Sequence, residues 1–146
     1  MNFVDIASTI LFWQWDSTEP TFDELRALDE WANNDEGPLR SVRFEAYRFF
    51  TLKTREKSID LLRKYPRLFA LNVLASMADD GWVRAAACHN LASIGGPALP
   101  YLMLRAYDWY SPTAEQALTA FRNGLRAAST RDLERCLILL GAIDRA

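Results

Sequence analysis

The residues of this chain best suited to chemistry gather between positions 79 and 110. Asp79-Asp80-Gly81 is followed by Cys88-His89, by Gly95-Gly96 and then by Tyr107-Asp108-Trp109-Tyr110. Cys88 and His89 would be the raw material of a thiol nucleophile with its base, or of a metal site. Their surroundings oppose both readings. His89 is the single histidine, the other cysteine is the distant Cys136, and no CxxC spacing or histidine cluster supplies the three or four ligands that zinc requires. No acid stands four residues to either side of His89 to orient it as a general base. The double glycine has neither the GxxxxGK[ST] nor the GxGxxG spacing, and it follows a helical pattern instead of a strand, so a phosphate loop is not indicated. The expectation is a chain with no catalytic residues, no metal and no cofactor.

Recognition is what remains, and two aromatic clusters compete for it. Tyr107, Asp108, Trp109 and Tyr110, with Tyr101 upstream, place rings with hydroxyl or indole handles around one carboxylate, ahead of Ser111-Pro112. Such rings anchor interfaces, and they also pack hinges. Near the start of the chain, Trp13 and Trp15 flank Gln14 on a segment that already has an apolar stripe at Phe3, Ile6, Ala7, Ile10 and Leu11. Surplus tryptophans there either cap the end of the fold or meet a partner. The candidate partner-binding residues are therefore Trp13, Trp15, Tyr107, Asp108, Trp109 and Tyr110.

Charge suggests the kind of partner. The net charge is only -2, but residues 1–36 hold nine acids against Arg26, and residues 37–67 hold nine bases against Glu45, Glu56 and Asp60. Neighbouring segments of opposite sign pair locally, or present a polarised surface that steers a charged partner. The acidic first third would suit a partner with a basic surface. A duplex-binding protein would carry more cations, so nucleic acid is not expected. No apolar run reaches the twenty or so residues of a membrane span, and the opening segment places Asp5 where a signal peptide would carry Lys or Arg. A cytoplasmic protein with reduced, buried thiols is the expectation.

The elements that must position these residues read as helices almost throughout. After the first stripe, Thr21 with Glu24 forms a capping box ahead of Phe22, Leu25, Leu28 and Ala32. Leu39, Val42, Ala46, Phe49 and Phe50 mark a third helix, and Ile59 with Leu62 a short fourth. Pro66 suits the first turn of a fifth, whose face is Leu71, Leu74, Ala75 and Ala78. Val83, Ala87, Leu91 and Ile94 form the sixth stripe, Leu99, Leu102 and Met103 the seventh. Ser111-Pro112 opens the eighth, to about Ala127, and Ser129-Thr130 caps a ninth with Leu133, Leu137 and Leu140. On the sixth helix Ala85 and Ala92 lie about 180–200° from Val83, where small side chains would admit a second helix, while Cys88 lies about 140° and His89 about 240° away. Arg84 is expected to pair with Asp79 or Asp80, and Gly95 to supply a left-handed cap before Pro97 starts the next helix.

Repetition indicates the kind of all-helical protein. Val42-Arg43-Phe44-Glu45-Ala46 aligns with Val83-Arg84-Ala85-Ala86-Ala87, each after an acidic, glycine-containing turn, and Ser111 to Ala117 is a weaker echo in which the arginine is replaced. The stretch ADDGWVRAAACHNLASIGGPALPYLMLRAYD resembles a HEAT-like (armadillo-type) repeat: acidic turn, Val-Arg opening a helix, alanines and a leucine, then Ile-Gly and a helix that begins near a proline. The resemblance is strongest over 66–110 and extends to 20–52. It implies one domain over 1–146, a short right-handed α-solenoid of antiparallel helical hairpins with about nine helices, capped by 1–19 and 129–146. A non-enzymatic interaction module that binds another protein is the function it suits, of the kind found among adaptors and immunity proteins. Two other HEAT-like functions are open. Asp108 between Tyr107 and Trp109 is similar to the aromatic and carboxylate arrangement of alkylpurine DNA glycosylases, and phycobilin lyases share the repeat of roughly 30 residues.

Overall fold

The computed structural model describes residues 54–144, together with Asp23 and Arg26. Six helices follow one another: α1 Arg55–Lys64, α2 Phe69–Ala75, α3 Gly81–Ile94, α4 Leu99–Arg105, α5 Ser111–Leu125 and α6 Thr130–Asp144, with a 3₁₀ turn at Gly96–Ala98. Among the described residues there is no strand, and the chain is all-helical there as expected. Asp23 and Arg26 are helical and exposed, on the segment that the Thr21–Glu24 box predicts to be a helix. The first and third expected helices, with Trp13 and Trp15, lie outside the described residues.

Three of the six helices start on a side-chain cap. Thr54 opens α1 by accepting from the Lys57 amide at 3.2 Å, with Glu56 in the first turn and Arg63 and Lys64 in the last to complement the dipole. Asp80 opens α3, its Oδ1 accepting from the Trp82 and Val83 amides at 2.8 and 3.3 Å. At α6 the cap is reciprocal. The Asp132 amide donates to Ser129 Oγ and the Ser129 amide to Asp132 Oδ2, both at 3.1 Å, a capping box with aspartate in the third position. Pro66 lies in a turn ahead of α2 instead of within it, because the chain runs extended at Leu68 before Phe69 begins the helix.

Helices adjacent in sequence pack together, α2 on α3 and α4 on α5, through the turns at 76–80 and 106–110. α3 also packs against α1 and α5, and α4 against α6. Phe69 of α2 meets Tyr101 of α4 edge-on at 5.8 Å. One apolar cluster runs from Leu61 and Leu62 through α2 and α3 to Ala117, and a smaller one joins Leu99 and Met103 to Cys136. The fully buried Leu62, Leu71, Leu91 and Leu99 each contribute about 1.5–3 kcal/mol by leaving water. Asn72, within the otherwise apolar α2, is satisfied on all sides: its Nδ2 donates to the Leu68 carbonyl at 2.8 Å, and its Oδ1 accepts from Asn90 Nδ2 at 2.9 Å. Asn90 also donates to the Leu62 carbonyl, which ties α1, α2 and α3 together.

Three expectations about helix faces change. Val83, Arg84, Ala87, Cys88 and Leu91 form a single broad buried arc of α3, whereas Ala92 is exposed and Ala85 only half-buried. Among the described residues the neighbours of α3 share that arc and its edges, and Ala92 is left exposed. On α6 Leu133, Leu137 and Leu140 are largely exposed, and among its described side chains Asp132 and Cys136 are the buried ones. Gly95 has φ 95° and ψ -143°, which is not the left-handed helical cap but an extended conformation that only glycine adopts without strain.

Candidate partner-binding surface

The turns at 76–80 and 106–110 lie side by side because α3 and α5 pack together, and Arg84 is the side chain that joins them. It leaves the first turn of α3 along the buried arc and meets Asp108 in a two-point ion pair, Nε to Oδ2 at 2.8 Å and Nη2 to Oδ1 at 2.9 Å. The remaining nitrogen, Nη1, donates to the Ala78 and Asp79 carbonyls at 2.9 and 2.7 Å. The expected pairing of Arg84 with the carboxylate of Asp79 or Asp80 is thereby corrected. Asp80 is engaged in capping α3 and in binding Arg55, and Asp79 offers Arg84 its carbonyl only.

Both charges of this pair are removed from water, the Arg84 side chain being 3% exposed and that of Asp108 1%. The Asp108 carboxylate also accepts from the Tyr110 amide at 2.9 Å and from Arg105 Nη1 at 3.3 Å. Burial pushes its pKa up, but the Arg84 bond, the Tyr110 amide and the charges of Arg84 and Arg105 together outweigh burial and hold it below the usual carboxylate range. An anion so saturated has no lone pair to spare for a substrate. Its work is to fix the 106–110 turn.

Fixing that turn puts aromatic rings outside. Tyr107 is 88% exposed and Trp109 82%. The Arg84 guanidinium lies 5.3 Å from the centre of the Trp109 ring. Tyr110 is half-buried and lies over the start of α3, where a Cβ on Gly81 would come within 2.6 Å of its ring. Gly81 is therefore required as the site of close approach, and Thr113 Oγ1 reinforces the junction by donating to the Gly81 carbonyl at 3.0 Å. Of the candidate residues in the 107–110 run, Trp109 and Tyr110 meet ring to ring, Tyr107 is exposed on the same turn, and the Asp108 carboxylate is buried.

One ring of this surface escapes a search for aromatic runs. Trp82, 55% exposed, stands alone in sequence, yet its ring centre is 6.4 Å from that of Tyr110, which is in turn 6.1 Å from that of Trp109. Trp82 also repeats the arrangement around Trp109. Arg55 Nε meets Asp80 Oδ2 at 2.9 Å, and its guanidinium lies 5.2 Å from the Trp82 ring centre. Arginine on a helix, aspartate in the turn of the next hairpin and tryptophan just after it thus occur twice, from α1 and from α3. The pKa of Asp80 is likewise held low, as the Arg55 bond and the Val83 and Trp82 amides outweigh the opposing effect of burial.

The other candidates for chemistry lie apart from this surface. His89 is exposed on α3. Cys88 is fully buried, and burial pushes its thiol up to about 12, which leaves no thiolate near neutral pH. Burial also raises the Cys136 thiol, with help from the Asp132 charge. Among the described residues no three of His, Cys, Asp and Glu converge on a point where a metal could sit. Among them, too, no helix is long and apolar enough to cross a membrane. An open groove of about 510 Å³ between α3 and α5 is lined by short side chains such as Ala92, Thr119 and Asn123. No family model, curated protein or solved structure matches the chain.

Proposed function

We propose that this chain is a non-enzymatic interaction module of the HEAT-like kind, which binds a partner protein through the ridge formed by Trp82, Tyr110, Trp109 and Tyr107. The observation that carries this reading is the exposure of Trp109 and Tyr107 on a turn whose own carboxylate is wholly consumed in holding it. Large rings on a rigid support lose little conformational entropy on binding, which is why tryptophan and tyrosine dominate interface hot spots. The contacts of α1 with α3 and α3 with α5, and of α4 with α6, support a short solenoid in which hairpins stack in order. The acidic first third of the sequence, which also holds Trp13 and Trp15, suits a partner with a basic surface. A cytoplasmic adaptor or an immunity protein fits the size and charge.

Affinity capture with the native chain and with Trp109→Ala and Trp82→Ala tests the proposal. The expected result is a stoichiometric partner that either variant loses. A partner retained by both variants, or none at all, refutes it. The nucleic-acid reading draws support from exposed Lys57, Arg63, Lys64 and Arg67 on and after α1. It needs binding that weakens steeply with salt, and a duplex titration at low salt that shows none rejects it.

A further inference from the structure

We draw no further inference here: the strongest candidate, the exposed apolar patch of Leu133, Leu137, Ile138 and Leu140 on α6, carries nothing because nothing in the structure shows what covers it.

Discussion

Replacing Asp108 by asparagine removes one charge and almost no volume, which makes it the sharpest probe of the junction between the two turns. The asparagine oxygen can still accept from the Tyr110 amide, but the new NH₂ group faces guanidinium N–H groups that formerly met a carboxylate. Arg84 keeps the Ala78 and Asp79 carbonyls on Nη1 and loses its counter-charge while 97% of its side chain stays out of water. Breaking a buried pair from one side in this way costs about 3–5 kcal/mol. That is a large part of the roughly 5–15 kcal/mol that holds a domain together. At about 3 °C per kcal/mol for a chain of this length, the thermal midpoint should fall by about 9–15 °C.

Urea unfolding followed by far-UV circular dichroism measures this loss, with the slope checked so that a change in the unfolded state is not mistaken for one in the fold. A second variant, Arg84→Met with Asp108→Leu, removes both charges and refills the space with apolar side chains. It should be far less damaged than Asp108→Asn alone, since replacing a whole buried pair is often neutral. Arg105, a quarter exposed, turns back to water in that variant. An Asp108→Asn protein within about 0.5 kcal/mol of the parent would refute the reasoning, because that is the range of an ordinary surface change.

Other expectations follow from the same contacts. Gly81→Ala puts a methyl against the Tyr110 ring and should cost about 1–3 kcal/mol while altering Trp82 and Trp109 fluorescence. Gly95→Ala meets nothing in space, so its cost of about 1–3 kcal/mol comes from φ alone, and fluorescence of the ridge should be unchanged. Cys88, buried and with its thiol raised to about 12, should resist a thiol reagent at pH 8 until denaturant unfolds the chain; modification at a rate independent of denaturant would contradict its placement. Asp108 titrates below its unfolded value of about 3.9, so its stabilisation is complete above that pH and is lost as pH falls through the lowered folded value. Acid unfolding should therefore set in below about pH 4 for the parent and show a shallower slope in Asp108→Asn.

Much of the fold is legible in the sequence because its signals are local. The periodic leucines and alanines, the Ser111-Pro112 start and the Ser129 cap each act within a few residues of the helix they specify, and all six described helices lie where those signals fall. Partners of charged side chains are less legible. Asp79 and Asp80 are adjacent to Arg84 in the chain, but a carboxylate already bonded to two amides at a helix start is not free to turn, and the partner that remains is 24 residues away. The ridge is half legible for the same reason. Tyr107, Trp109 and Tyr110 announce themselves as a run, whereas Trp82 joins them only when α3 and α5 pack.

The repeat itself shows where a motif and a structure part ways. A search on Val-Arg pairs Arg43 with Arg84, but among the described residues the side chain that does for Asp80 what Arg84 does for Asp108 is Arg55, which follows Thr54 and not valine. The apolar residue before the arginine is replaceable, since its part is to start a helix, and Thr54 does that by capping. The arginine is not, because it does two things at once. It closes the turn of the next hairpin onto its own helix, and it holds the face of the tryptophan that follows. On the proposed function a change at Arg84 should lower both stability and partner binding, whereas the more exposed Arg55–Asp80 pair adds little to stability. Changes at Trp82 or Trp109 should lower recognition alone.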